Sequence, residues 1–464
     1  MEEFMSIPNS SGSAAPASPP EPSLKTVRKA VAASALGNAT EWFDYGLYAV
    51  TLIYIADHFF PGEHANLMAL LTFAVSFIFR PLGGIVWGPI GDRLGRKRVL
   101  ALTILLMAGS TFCIALLPSY ATIGVAAPII LILLRVIQGF SSGGEYGGAA
   151  TFMAEYAPDK RRGFFGSFLE FGTLAGMAAG SLFVLLLQLG LGEETMSAWA
   201  WRIPFIFAGV LGVVGLYLRS QLDESPVYEE LDDEGQDKTV KEVFATLFTN
   251  YKKQLLVLGG MVVAVNVVNY TLLTYMPTYL QDPVGMSANS SLTVMFLTQA
   301  FMMILIPFGG MLSDKVGRKP VWFFSLIGLF VAAIPMFMLM ANGFVWALIG
   351  LAVLGVLYIP QISTISATFP AMFPGPVRFA GFAISYNVST ALFGGTAPSI
   401  SQGLIGATGD NMIPAYLVMV SCAIGFVATI FMKETKGASL RGCGLPETGA
   451  DVVLDEAELV DDAR

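Results

Sequence analysis

Gly37-Asn-Ala-Thr-Glu41-Trp42-Phe43-Asp44-Tyr45-Gly46-Leu-Tyr48 lies in the middle of an apolar run that extends from Val31 to about Ala56. A run of that length crosses a bilayer, which takes about 20 residues. Two carboxylates, Glu41 and Asp44, then sit near mid-depth, where an ionised side chain costs roughly 2.5–3.5 kcal/mol on insertion scales. The fold alone has no use for them. On a helix, Gly37, Glu41, Asp44, Tyr45 and Tyr48 share one face, with Trp42 on its flank and Phe43 opposite. Acids and aromatics on one surface inside a span make it a candidate site for a ligand and a proton.

Composition fixes the class around that stretch. Of 464 residues, 55% are hydrophobic and 13% charged, with a mean hydropathy of +0.66; soluble domains carry about 25% charged residues. The chain reads as an all-α polytopic membrane protein with membrane lipid around it and no nucleic-acid partner. The net charge of −8 is no partner signal, because the acids gather between Asp223 and Asp237 and between Glu447 and Asp462. Cys113, Cys422 and Cys443 are far apart and lack metal-ligand spacing, so neither a disulfide nor a metal site is expected. Residues 1–27 are rich in Ser, Pro and Ala, carry Glu2 and Glu3, and lack an apolar core. They read as a disordered cytoplasmic tail, not a signal peptide.

Apolar segments long enough to span fall near 31–57, 66–90, 99–117, 124–154, 164–190, 199–219, 254–280, 290–312, 320–341, 344–370, 379–405 and 412–432. Twelve transmembrane helices are therefore predicted, as a six-helix bundle over 28–219, a cytoplasmic central loop over 220–253, a second bundle over 254–432 and an acidic cytoplasmic tail over 433–464. Basic residues set the orientation. Lys25, Arg28 and Lys29, then Arg93 to Arg98, Lys160 to Arg162, Lys315 to Lys319, Arg378, and Lys433 to Arg441 all fall on one side. The intervening turns, around Pro61, Pro118, Glu193, Asp282, Asn342 and Asp410, carry no Lys or Arg. The protein is expected in a cytoplasmic membrane with both termini on the cytoplasmic side. Arg80, Arg135 and Arg202 fall within or at the outer end of spans and need a separate reason.

The two halves repeat each other. Gly88-Pro-Ile-Gly-Asp92-Arg-Leu-Gly95-Arg96-Lys97 matches Gly310-Met-Leu-Ser-Asp314-Lys-Val-Gly317-Arg318-Lys319 at constant offset, each between the second and third helix of its half. Pro158 to Arg162 and Pro374 to Arg378 share a Pro-x-x-x-Arg spacing, and Glu224-Ser225 and Glu434-Thr435 close the sixth helix of each half. Duplicated six-helix units with a site between them near the midplane are a construction of secondary transporters.

On these residues the chain resembles the major facilitator superfamily, and within it the metabolite:proton symporter family. The wider resemblance rests on the Gly88 to Lys97 loop, its second copy, and Arg135-Val-Ile-Gln138-Gly139. The narrower one rests on Gly37 to Asp44, Arg80-Pro-Leu-Gly-Gly84, Gly143-Gly-Glu145-Tyr146, Trp201-Arg202-Ile-Pro204-Phe205 and Leu222-Asp-Glu-Ser-Pro226. Asn266 and the segment Tyr270 to Leu280 are most similar to the proline/glycine-betaine transporters of that family. Some members end in a heptad-repeat coiled coil; the chain after Lys436 is acidic and without heptads, so a coiled-coil role is not implied.

The resemblance implies two pseudo-symmetric six-helix bundles and a proton symporter, driven by the proton gradient without a cofactor, that imports a zwitterion such as proline, glycine betaine or an ectoine-like solute. A mono- or dicarboxylate such as 2-oxoglutarate, citrate or shikimate is the alternative, and a passive channel or a receptor the more distant one. No nucleotide loop or catalytic motif of an enzyme is present. For the substrate, Trp42, Tyr45, Tyr48 and Tyr270 offer cation–π surfaces, Arg80 a carboxylate anchor, and Asn266 a polar contact. Coupling needs a carboxylate that alternates between water and a dry, arginine-paired state. Glu41, Asp44, Arg135 and Glu145, together with Arg80, are expected to form that network, with Glu170 a further acid. Asp92 and Asp314 are expected to accept from the start of a neighbouring helix. Arg96 and Arg318 would pair with carboxylates, so that Gly88, Asp92, Gly95, Arg96, Asp314 and Arg318 form a gate.

Overall fold

The computed structural model describes residues 24–94, 96–143, 145–220 and 240–440; the side chains of 24–26, 29, 30, 33, 88–101, Glu145, 214–220, 240, 241, 243 and 376 fall outside that description. Six long helices precede residues 221–239 and six follow. The first six are α1 (Leu24–Val50, continued as Leu52–Phe59), α2 (Ala65–Ile78 and Arg80–Leu94), α3 (Arg96–Leu116), α4 (Ala126–Ser142 and Glu145–Tyr156), α5 (Arg162–Leu191) and α6 (Ile203–Ser220). The second six begin with α7 (Lys252–Asn269, Tyr270–Tyr275 and Met276–Gln281), α8 (Ala288–Val316) and α9 (Arg318–Met340). They end with α10 (Phe344–Ile362 and Ile365–Thr368), α11 (Gly375–Ser389, Thr390–Gly394 and Ala397–Thr408) and α12 (Ile413–Phe431). The chain is a multi-pass membrane protein, and the helices follow the spans read from hydropathy, with ends displaced by a few residues.

Eight of the twelve are long and apolar enough to cross a membrane on length and composition alone. The other four depart for visible reasons. The central acids lower the hydropathy of α1, α3 and α6 run into residues whose side chains lie outside the description, and α11 is rich in Ser385, Asn387, Ser389, Thr390, Gly394 and Gly395.

Breaks in the helices have local causes. Proline has no N–H and crowds the carbonyl four residues back, and both α7 and α11 widen to a π turn just before one: Tyr270–Tyr275 before Pro277 and Thr390–Gly394 before Pro398. In α2 the interruption at Phe79 precedes Arg80-Pro81. The two π turns lie against each other: Asn266 donates to Thr390 Oγ1 at 2.7 Å, and a side chain at Gly394 would press on the Tyr270 ring. Single π turns recur at functional sites because they re-aim the side chains around them.

Packing depends on small residues, as expected where lipid offers no hydrophobic drive between helices. Gly172 and Gly176 of α5 meet the backbone of α1 at Ala35 and Ala39; Gly139 and Gly143 of α4 meet α2 at Ser76 and Arg80. Between the halves, Gly163 of α5 lies on Gly310 of α8. Gly147 and Gly148 of α4 face α11 at Ala383 and Phe379, while Gly144 lies outside the described residues. Arg202 has its reason too: it donates to the Leu117 carbonyl at 3.0 Å and lies over the Trp201 ring at 4.8 Å.

Candidate functional site

The face predicted on α1 looks into the seam between the halves. Glu41, Trp42, Asp44, Tyr45 and Tyr48 are all buried. α1 is aimed there by its packing on α5, and Asn38 pins the pair by donating to Leu169 O at 2.8 Å and Thr173 Oγ1 at 2.6 Å. Across the seam Tyr270 approaches Trp42, with ring centroids 6.4 Å apart.

Aromatic rings form a box. Trp42 lies 5.7 Å from Tyr45, and Tyr270 meets Phe77 edge-on at 5.0 Å and Phe73 at 6.3 Å. Phe73 and Phe77, one helical turn apart on α2, were not singled out by sequence; their four-residue spacing on one face was the available signal. Tyr48 is turned the other way: its hydroxyl donates to Ala69 O at 2.9 Å and its ring stacks on Phe73. Tyr275 likewise points away, to Gln402 Oε1 at 2.6 Å.

Two guanidinium groups flank the Tyr45 ring. Arg80 lies 4.9 Å from its centroid and 4.7 Å from that of Phe77. Arg135 lies 5.7 Å from Tyr45 and 4.1 Å from Tyr48. Their charges are answered separately. Arg80 pairs with Glu41 at 3.2 Å. Arg135 reaches Asp44 through Gln138, which accepts from Arg135 at 2.7 Å and donates to Asp44 at 3.1 Å and to Thr111 Oγ1 at 2.7 Å. Arg80 with Glu41, and Arg135 with Gln138 and Asp44, thus lie on either side of one tyrosine, and the Glu145 side chain, the remaining member of the expected network, lies outside the description. Gln138 was within the quoted fourth-helix motif without a role; only the packing of α3 and α4 on α1 makes it a bridge.

Several donors in this volume have no acceptor among the described residues: Nε of Arg80, Nε and one terminal nitrogen of Arg135, and the indole nitrogen of Trp42. Buried donors without partners cost about 1–3 kcal/mol each unless a ligand or water meets them. On the C-terminal side Asn269 accepts from Tyr358 at 3.4 Å, Gln361 donates to Ser325 at 2.8 Å, and Asn387 donates across the seam to Gly143 O at 3.0 Å.

The halves are tied at both ends. At the end bearing the basic loops, Asp314 accepts from the first amides of α5, Gly163 at 2.8 Å and Phe164 at 2.9 Å, and holds Arg318 at 2.7 Å. Glu434 does the same for α9, accepting from Arg318 N at 2.9 Å and Lys319 N at 3.0 Å. Gly317, at φ +116°, turns between α8 and α9 in a conformation that favours glycine, which accounts for the glycine of this motif. In the first copy Gly95, the surroundings of Gly88 and the side chains of Asp92 and Arg96 lie outside the description, as do 222–226. Arg378 of α11 pairs with Glu155 of α4 at 2.9 Å. At the opposite end Asp282 accepts from Asn66 of α2 and Gln402 of α11.

Two six-helix halves closed over a central polar site define a secondary transporter. The family model of the Major Facilitator Superfamily matches residues 34–399, and the chain belongs to that superfamily. It is 43% identical over 429 residues to the proline/betaine transporter of Salmonella typhimurium, covering 90% of this chain and 85% of that one. It is 41% identical over 427 residues, with the same coverage, to the glycine betaine/proline/ectoine/pipecolic acid transporter OusA of Dickeya dadantii. Among solved structures, the xylose transporter XylE from E. coli in a partially occluded inward-open conformation superposes with a TM-score of 0.70 at 18% identity, over 90% of this chain and all of that one. That likeness is one of fold.

Proposed function

We propose that the chain is a proton symporter importing a zwitterionic compatible solute of the proline, glycine betaine or ectoine class. What carries this reading is the meeting, in one buried volume, of an aromatic box and guanidinium N–H groups that have no acceptor among the described residues. Trp42, Tyr45 and Tyr270 would face the ammonium end, each ring contributing on the order of 0.5–2 kcal/mol when desolvated. Arg80 and Arg135 would take the carboxylate through charge-assisted hydrogen bonds. Tyr48 backs Arg135, and Asn266 sets the π turn that carries Tyr270. The names of the relatives favour the same solutes.

Driving force comes from the proton gradient, with no cofactor and no catalysed reaction. Glu41, Asp44, Arg135 and Glu145 are the proton-coupling set, the charged groups whose pairing rearranges when a proton is taken up or released. The bundles 28–219 and 254–432 rock about the site within membrane lipid, without nucleic acid. Gly88, Asp92, Gly95, Arg96, Asp314 and Arg318 gate the end with basic loops. That end, with both termini, faces the cytoplasm by the positive-inside rule.

The test is uptake of labelled glycine betaine into proteoliposomes under an inward proton gradient, at low and high external osmolality, competed with proline and with 2-oxoglutarate. Gradient-dependent accumulation blocked by proline is expected. Accumulation of 2-oxoglutarate in place of betaine would overturn the zwitterion assignment, and accumulation without a gradient would overturn symport.

A further inference from the structure

Glu41, Asp44 and Glu170 are the buried acids among the described residues, and they are held differently. Glu41 faces a guanidinium, and Asp44 shares Gln138 with one. Glu170 of α5 has no ion pair among the described residues. Its partners are two hydroxyls: Tyr146, which donates to Oε1 at 2.5 Å, and Thr173, whose oxygen already accepts from Asn38 and whose proton is therefore free for the carboxyl group. An ionised carboxylate inside a span is tolerated when a cation or several donors answer it; with neutral hydroxyls alone the uncharged acid is the cheaper form.

Position adds to this. The Tyr146 ring stacks on Tyr386 of α11 across the seam, with centroids 4.6 Å apart and planes 22° apart, and Phe382 closes the side at 6.4 Å. The titratable groups facing Glu170 are Tyr146 from α4, Tyr386 from α11 and Tyr358 from α10; the Glu41–Arg80 pair of α1 and α2 acts on Tyr386 behind them. α8, which packs along α5, offers uncharged Gln299 to Ser181, while its Asp314 lies at the far basic end. In this closed arrangement Glu170 lies buried beneath a tyrosine pair that spans the seam.

We propose that Glu170 is the acid that carries the transported proton, holding it while Tyr146 and Tyr386 are stacked and releasing it when the seam opens. No covalent step is involved: one proton leaves the Glu170 carboxyl for water. This rests on the symporter reading, and two measurements separate them. The first is infrared titration of the purified full chain. A protonated-carboxyl band present at neutral pH and absent from Glu170→Gln is expected, and an unchanged spectrum overturns the proposal whatever the substrate. The second is transport of labelled glycine betaine. Glu170→Gln is expected to exchange external for internal betaine while losing all gradient-driven accumulation, and Glu170→Asp to restore accumulation with a displaced pH profile. Full accumulation by Glu170→Gln overturns the proposal, as does loss of exchange together with accumulation in a folded, monodisperse protein. If the wild type moves no betaine but the infrared band behaves as expected, the substrate assignment fails and the proton-holding acid stands.

Discussion

Arg378 and Glu155, 223 positions apart in the chain, form an ion pair of 2.9 Å that joins α11 to α4 at the end bearing the basic loops. Arg378 is nearly buried, with its side chain 4% exposed and that of Glu155 23%. Removing one partner strands the other in a closed interface. A charged hydrogen bond of this kind is worth about 1.5–3 kcal/mol, so Arg378→Ala should shift the protein toward the state open at that end by roughly tenfold or more. With the native cysteines removed, the buried Ala154→Cys should then react faster with a soluble maleimide; an unchanged rate would mean that the pair does not hold the closed state.

Asp314 caps α5 from the opposite half, and its two amide bonds answer donors that α5 leaves free. Loss of such a cap costs about 0.5–2 kcal/mol. Asp314→Ala should lower the thermal unfolding temperature more than Asp314→Asn, because asparagine keeps an acceptor for one amide while also freeing Arg318. Equal losses for the two variants would assign the effect to the Arg318 pair alone.

Close helix contacts separate one glycine from another. A methyl group at Gly139 would strike the Ser76 backbone, whereas Gly109 has open space around it. Gly139→Ala is expected to abolish the folded protein or to push α2 and α4 apart. Gly109→Ala should be neutral or slightly stabilising, by up to about 1 kcal/mol, since alanine is the better helix former. Monodispersity on size exclusion, compared between the two, is the measurement, and similar profiles would contradict the packing described.

For the aromatic box, Trp42→Ala should weaken glycine betaine binding by about 1–2 kcal/mol, or roughly fivefold to thirtyfold, as expected of a desolvated cation–π contact. Trp42→Phe should recover much of that loss, because a ring face remains. Calorimetric titration of the purified variants reads this directly. Binding by Trp42→Ala equal to that of the wild type would remove Trp42 from the site.

Much of this was legible in the chain. The twelve crossings, the repeat of the Asp92 and Asp314 loops and the unusual burial of Glu41 and Asp44 follow from hydropathy and residue spacing, which are local properties. The burial of those acids is set by which stretch spans, and spanning needs only length and apolarity. Partner choice was not legible, because it depends on which helices touch. Glycines at 139, 143, 172 and 176 let backbones approach, and those approaches bring Gln138 between Asp44 and Arg135, leave Glu41 with Arg80, and give Glu170 a tyrosine in place of a cation. The prolines at 277 and 398 were visible, but the π turns before them acquire meaning only where α7 and α11 meet. The sequence by itself determined which side chains enter the membrane. Tertiary structure decided which of them share a charge, because electrostatic partners in a low-dielectric interior are fixed by ångström-scale packing between segments remote in the chain.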